Sequence, residues 1–443
     1  DSASLSHNSV KAIFRDDKGK IWIGTDGGGI NILNENRTGF TRIMSQPSNP
    51  KSLNNNRVYS FLQDKTGNIW VGTFKGLHRI DRYNRNFKLY THNPGDPNTI
   101  ANNLIWSFCE IEPDVFWIAT DNGITIFDRL KNSFSYFNPE PSNPDGLSSN
   151  RIRPVIKDIY GNIWIGTRDA GLNKLDPETG KSIHFVPSIQ DQHTLADKFV
   201  NTIYNDKHGK IWVGTQNGLN CIDPLTNQIK LYRHDPNDRN SLSNNTVFHI
   251  MEDKQGTMWL ATYNGINRYN QNSDDFTVFY HEIDEPGFLS SNRFFYLFED
   301  SDNNFWVGTR GGGLMLFDRQ SGNFVRSYST DDGLPNNVVY GILEDDAGAL
   351  WMSTNWGISR FDRKKEIFVN YDVTDGLQSN EFNALALLKS SSGLMFFGGM
   401  NGFNMFDPAE IQSNPKQPDI LISGFKLFNV AKPGEINHLD TIF

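Results

Sequence analysis

One phrase, Trp preceded by Ile and followed by a small residue and Thr, returns along this chain with almost fixed spacing. It reads GKIWIGT at 19–25, GNIWVGT at 67–73, GNIWIGT at 161–167 and GKIWVGT at 209–215. Aligned on the indole, the copies fall at Trp22, Trp70, Trp117, Trp164, Trp212, Trp259, Trp306 and Trp351, with Phe396 in the ninth place. Successive distances are 48, 47, 47, 48, 47, 47, 45 and 45 residues. A period this constant over a whole chain means one supersecondary unit repeated, each copy burying a face against the next.

Residues 334–378 show what a unit contains. Four short runs rich in β-branched and aromatic residues, VVYGIL, ALWMST, GISRFD and IFVNYD, are separated by polar clusters with Asp, Gly, Asn or Lys. Each repeat therefore holds four strands. Between the first two strands most copies place Asp-x-x-Gly: Asp16 to Gly19, Asp64 to Gly67, Asp206 to Gly209, Asp253 to Gly256 and Asp345 to Gly348. An Asp that binds its own backbone, followed by a Gly free to take positive φ, suits a tight hairpin. One Asp per turn, spread over many turns, is not a calcium loop, which needs several oxygens converging within a few residues.

The position two after Trp is Gly in most copies and otherwise Ala119, Ala261 or Ser353. The requirement is thus room for a neighbouring sheet, against which each Trp buries ~150–250 Å². Units of 45–48 residues with four strands and one interfacial aromatic predict an all-β fold, a β-propeller of four-stranded blades. Nine repeats could close as a seven-bladed ring preceded by two blades of another propeller, or as one nine-bladed ring. Counting seven blades back from Phe396 divides the chain into 1–100, two blades of a preceding propeller; 101–410, the seven-bladed ring; and 411–443.

Composition excludes several function classes. The net charge of −9 over 443 residues, with Lys and Arg scattered singly, gives no basic stripe for nucleic acid. No stretch approaches the ~18 apolar residues of a membrane-spanning helix. Cys109 and Cys221 lie two repeats apart and are read as small buried hydrophobes that do not meet. The ten histidines fall at unrelated repeat positions, and no Gly-x-Ser-x-Gly, His-Glu-x-x-His or Cys-x-x-Cys occurs. No catalytic residue, metal or cofactor is expected. A propeller enzyme of sialidase or lyase type remains an alternative, although no Tyr–Glu pair of a sialidase stands out by spacing.

The repeats SLSNNTVFHIMEDKQGTMWLATYNGINRYN and DGLPNNVVYGILEDDAGALWMSTNWGISRFD resemble the regulatory propeller repeats of hybrid two-component sensors of polysaccharide-degrading gut bacteria. DGLQSNEFNALALLKSSSGLMFFGGMNGFNMFDP, from Asp375, is similar to that family's last blade. QPDILISGFKLFNV at 417–430 is similar to the first strand of its immunoglobulin-like domain, so 411–443 is read as the truncated start of that domain. The resemblance implies a periplasmic sensor region of an inner-membrane protein, followed by a transmembrane helix and a histidine kinase outside this segment, with a homodimer expected in the parent receptor. The segment itself is expected to be a fragment without enzymatic activity, binding an oligosaccharide. A protein-binding propeller is the third reading.

In a repeat protein the framework positions agree and the ligand positions differ. With the first strand innermost, the linker into each repeat and the turn after Trp-x-Gly-Thr share one face, around the central channel. The variable residues there are rich in Arg and aromatics, and the candidate ligand set is Arg151, Arg153, Arg168, Arg293, Phe295, Arg310, Trp106, Tyr263, Tyr340 and Trp356. Aromatic faces suit sugar rings, and guanidinium forks suit carboxylate or sulfate. Arg151, Arg153 and Arg168 belong to one repeat, and Arg293, Phe295 and Arg310 repeat the arrangement three units later, nearly opposite in a seven-bladed ring. Such a double cluster would trap an acidic oligosaccharide unless neighbours such as Asp169 already neutralise it.

Overall fold

The computed structural model describes residues 4–46, 52–80, 87–139, 143, 145–188, 190, 193–281 and 292–411, with the backbone of 426–427 and 430–431. The stretch at 417–430 assigned to an immunoglobulin-like strand therefore lies almost wholly outside the described residues. No helix among the described residues is long and apolar enough to cross a membrane.

Two compact units separate within the chain, and the larger one runs from Arg85 to Ile411. It contains seven four-stranded antiparallel sheets, numbered here as blades I to VII. Their innermost strands are Ile105–Glu112, Ile152–Lys157, Val200–Asn205, Val247–Glu252, Phe294–Glu299, Val339–Glu344 and Phe382–Lys389. Each innermost strand contacts the next one around the ring, and that of blade VII contacts that of blade I. The seven blades thus close a circle.

Closure uses a strand from the other end of the unit. Blade VII supplies only three strands of its own, Phe382–Lys389, Met395–Gly399 and Gly402–Phe406. Its outer edge pairs with Lys88–Tyr90 in the register Phe403↔Tyr90, Asn404↔Leu89 and Met405↔Lys88. Tyr90 stacks on Phe403 at 4.7 Å, and Phe87 packs edge-on against Phe406 at 4.7 Å. Lys88–Tyr90, ahead of the boundary at 101, therefore belongs to the ring. The strand that the repeat pattern assigns to the second unit's outer edge is given up to the last blade, where it covers an otherwise open edge.

The first 84 residues hold a four-stranded sheet, Val10–Arg15, Ile21–Thr25, Ile30–Leu33 and Phe40–Ile43, and three described strands of a second, Val58–Gln63, Ile69–Thr73 and Gly76–Ile80. These two sheets pack through Trp22, Ile30, Leu53, Val58, Ile69 and Val71.

The hairpin Asp does more than turn the chain. In blade III one oxygen of Asp206 accepts the amides of His208 and Lys210, while the other accepts the indole N–H of Trp212 at 2.8 Å. The same indole bond joins Asp16 to Trp22, Asp64 to Trp70, Asp158 to Trp164, Asp253 to Trp259, Asp300 to Trp306 and Asp345 to Trp351, at 2.7–3.0 Å. The turn glycines take φ between +80° and +94°. Trp22, Trp164, Trp212, Trp259, Trp306, Trp351 and Phe396 are buried. Trp70 and Trp117 are only half-buried. Within its own unit Trp70 has no third sheet against it among the described residues. Blade I lacks the Asp-x-x-Gly turn, and its Asp114 binds Arg129 at 2.7 Å instead.

The small residue after Trp keeps ordinary backbone angles and is small for want of space. A Cβ at Gly166 would lie 2.6 Å from Val200 Cγ1, at Gly214 2.8 Å from Val247 Cγ1 and at Gly398 2.5 Å from Ile105 Cγ2. Each is a contact with the next blade, the last across the closure.

Trp212→Ala should cost ~3–5 kcal/mol of stability, as for other large aromatic deletions in cores. Asp206→Ala should cost ~1–3 kcal/mol by leaving the buried indole N–H without an acceptor. Urea unfolding followed by far-ultraviolet dichroism measures both, and a Trp212→Ala loss below about 1 kcal/mol would contradict the packing argument.

Candidate functional site

The face that carries the linkers into the innermost strands is built on a repeated backbone contact. The Gly of each turn between second and third strands donates its amide to a carbonyl in the next blade's linker. The pairs are Gly123 to Asn150, Gly171 to Lys198, Gly218 to Asn245, Gly265 to Asn292, Gly313 to Asn337, Gly357 to Asn380 and, across the closure, Gly402 to Asn103, all at 2.7–3.0 Å. Buried third-strand asparagines add a second tie: Asn173, Asn220, Asn267 and Asn404 accept the linker amides of Ser148, Ala196, Ser243 and Gln378. The mouth of the channel is thus framed by satisfied backbone, and its side chains project from fixed positions.

Within a blade, the residue after Thr pairs with the residue just ahead of the innermost strand. Arg168 N donates to Arg151 O at 2.9 Å, Tyr263 N to Thr246 O at 3.0 Å and Arg310 N to Arg293 O at 2.9 Å. The predicted partners of blades II and V are therefore neighbours at the mouth, in each blade separately.

The two clusters differ in chemistry. In blade II, Arg153 is only 6% exposed. Its Nη1 donates to Asp121 Oδ1 at 2.7 Å and to the carbonyl of Ile152 at 3.1 Å, and its guanidinium lies 3.6 Å over the Trp106 ring. Asp121 Oδ1 also accepts the Trp106 indole N–H at 2.8 Å. Burial pushes the Arg153 pKa down against the Asp121 bond, and the charges of Arg168 and Arg151 push the same way. Arg153 and Trp106 are thus committed to a cation–π pair clamped by one carboxylate, and neither offers a free fork or ring face to a ligand. Arg151 lies 3.5 Å from Asp169, whose other oxygen accepts the Ser149 hydroxyl. The internal neutralisation that the sequence allowed is present for both. Arg168 is exposed, with its guanidinium 5.9 Å above the Phe199 ring.

In blade V, Phe295 takes the place that Arg153 has in blade II, and it is buried. It packs edge-on against Phe248 at 5.0 Å and at a tilt against Tyr340 at 5.5 Å, and Phe248 lies 6.2 Å from Tyr263. Arg293 lies 4.6 Å over Tyr263. Tyr340 donates to Asn355 at 2.6 Å, and burial, then the Glu381 charge, raises its pKa while Arg310 opposes. Arg310 and Trp356 are exposed, Trp356 to 58%. Blades IV to VI thus line their side of the mouth with an aromatic belt.

Along the channel wall, side chains reach from one innermost strand to the next. Ser107 donates to the carbonyl of Arg153, Asn201 to that of Val247 and Asn383 to that of Ile105, while His249 Nδ1 accepts the amide of Leu297. The His249 ring stacks on Tyr296 at 4.0 Å, and burial pushes its pKa down to about 3. These staples were not among the residues singled out from sequence. Their one signal is an amide, imidazole or hydroxyl near the start of an innermost strand, at Ser107, Asn201, His249 and Asn383.

Among the described residues no three His, Cys, Asp or Glu side chains gather as a metal site. Both cysteines are free, and burial raises their thiols, Cys109 to about 11 and Cys221 to about 12.

Comparison with known proteins places this architecture. Residues 4–27, 52–75, 146–169, 194–217, 241–264, 289–311 and 333–356 match the two component regulator propeller model. The extracellular domain of the putative hybrid two component system BT3049 of B. thetaiotaomicron superposes over 97% of this chain and 62% of its own, with TM-score 0.69 and 26% identity. The corresponding domain of BT4673 from the same organism gives TM-score 0.57 and 23% identity over 96% of this chain and 55% of its own. Histidine kinase P4 of Formosa agariphila is 33% identical over 102 residues, 23% of this chain and 7% of that protein. The chain spans less than two-thirds of each of these proteins.

Arg153→Ala should destabilise the ring by ~2–3 kcal/mol, short of the ~3–5 kcal/mol of a fully buried pair because Asp121 keeps some contact with water. Arg168→Ala should stay within ~0.5 kcal/mol of the parent. Thermal unfolding of the two variants checks the contrast, and equal stability would remove Arg153 from the framework.

Proposed function

We propose that this chain, whose repeats match the two component regulator propeller model, is an extracytoplasmic array that senses an oligosaccharide at the channel mouth without turning it over. The observation that carries this reading is the division of labour between the two faces of the ring. The hairpin aspartates, which could serve as acids or bases, are spent on indole and backbone bonds. The mouth instead presents groups that bind without reacting: the exposed rings and forks of Trp356, Arg168 and Arg310, beside Tyr340 and Tyr263. Flat apolar faces with polar neighbours suit pyranose rings, whose C–H faces stack on aromatics while their hydroxyls are hydrogen-bonded.

Signalling follows from linkage. A ligand that binds one arrangement of a receptor better than another shifts the balance by the ratio of its two affinities. In the parent receptor the responding element would be a histidine kinase across the membrane, controlling genes for polysaccharide use. A periplasmic location and a homodimeric receptor belong to the same proposal. Of the alternatives, a sialidase- or lyase-like enzyme would need reacting groups at the mouth. A protein-binding propeller would need a broad apolar patch there.

Incubating the protein with plant and host glycan oligosaccharides, then screening by calorimetry and product chromatography, tests the proposal. Binding of at least one oligosaccharide with no cleaved or unsaturated product is expected, and Trp356→Ala should weaken it about tenfold, the scale of one lost ring-stacking contact. Any protein-dependent product would make the segment an enzyme.

A further inference from the structure

We propose that the blade II–III sector of the mouth is an anion subsite in which Arg168 takes the carboxylate or sulfate of an acidic oligosaccharide. This rests on the reading of the mouth as the oligosaccharide site, and adds which sugar chemistry it selects and where the charged residue sits. Three arginines, Arg151, Arg153 and Arg168, are gathered here by the blade II backbone pairing and by the Arg153 contact with Phe199 at 5.9 Å. Two carboxylates stand among them, and both are engaged. Asp121 is shared between Trp106 and Arg153, and Asp169 between Ser149 and Arg151. Among the described residues no carboxylate pairs with Arg168. The adjacent linker adds the exposed Lys198 and the half-buried Asp197, whose carboxylate caps the amide of Phe199 at 2.7 Å. One guanidinium is left over, exposed, resting on the Phe199 ring and held at its backbone by Arg151.

That excess is a consequence of packing. Arg153 stays charged while buried because Asp121 and Trp106 hold it, and that commits Asp121 to Arg153 rather than to Arg168. A planar fork left without a carboxylate of its own suits a bidentate anion. The opposite sector lacks this logic. Phe295 stands where Arg153 would be, Arg293 lies on Tyr263, and Glu381 contributes its charge beside Tyr340 and Arg310. A bound chain would therefore lie with its acidic residue toward blades II and III and a neutral ring toward Trp356 on blade VI.

Calorimetry with three probes tests this: a tetragalacturonate, the same tetrasaccharide with its carboxyls reduced to alcohols, and a chondroitin sulfate tetrasaccharide. One or both acidic probes should bind more tightly than the reduced one, and comparing them separates carboxylate from sulfate. Arg168→Gln should lower the acidic probes' affinity about 10- to 100-fold, the scale of a lost charge-assisted bond, and leave the reduced probe unchanged. If Arg168→Gln binds every probe as the parent does, the subsite is wrong while the sensing reading stands. If Trp356→Ala leaves the reduced probe's affinity untouched, the mouth itself is wrong. If none of the three probes binds, both are overturned.

Discussion

A tryptophan driven between two sheets brings an indole N–H out of water, and that donor has to be satisfied inside the protein. The hairpin aspartate answers this. With one oxygen on its own turn and the other on the indole, a single carboxylate fixes the turn, the rotamer of the Trp and the angle at which the Trp meets the next blade. Asp300 shows how firmly: burial opposes its charge, yet the bonds from Trp306 and Asn304 and the nearby Arg363 hold its pKa below the usual carboxylate range. Where the turn is missing, as in blade I, Trp117 is half-exposed. In blade VII a Phe without a polar atom fills the position and stays buried.

The same arrangement frees the opposite face. Seven Gly-to-linker hydrogen bonds, one of them across the closure, set the mouth by backbone alone. Side chains there can change from blade to blade without disturbing the ring. The chain exploits this unevenly: one sector buries an arginine on a tryptophan, and another builds a belt of Phe248, Phe295 and Tyr340.

Much of this was legible in the sequence because it is periodic. The Trp spacing, the four strands, the positive-φ glycines, the crowded small residue and the face that carries variation all repeat, so each copy checks the others. The indole bond had a signal too, an Asp six residues ahead of every repeat Trp except Trp117, but a turn alone explained that Asp and its second oxygen was left unassigned. The ring's true start was hidden because Lys88–Tyr90 occupies a normal repeat position, and only the open edge of blade VII shows where it goes. Arg153 misled for a similar reason. Its partner Asp121 is 32 residues back, on the neighbouring blade, and no local pattern links the two.

The clasp formed by Lys88–Tyr90 also sets the order of events in time. Every blade from I to VI is a local meander that can form as soon as its own 45–48 residues are available. Tyr90 must wait for Phe403, more than three hundred positions later, before it has a partner. Closing so long a loop carries an entropic cost that no local contact offsets, so circularisation is the late, slow event in a chain whose pieces form quickly. Until then Phe87, Tyr90 and the outer edge of Gly402–Phe406 are bare, and this interval is when a chain emerging into a crowded compartment is most open to pairing with another copy of itself.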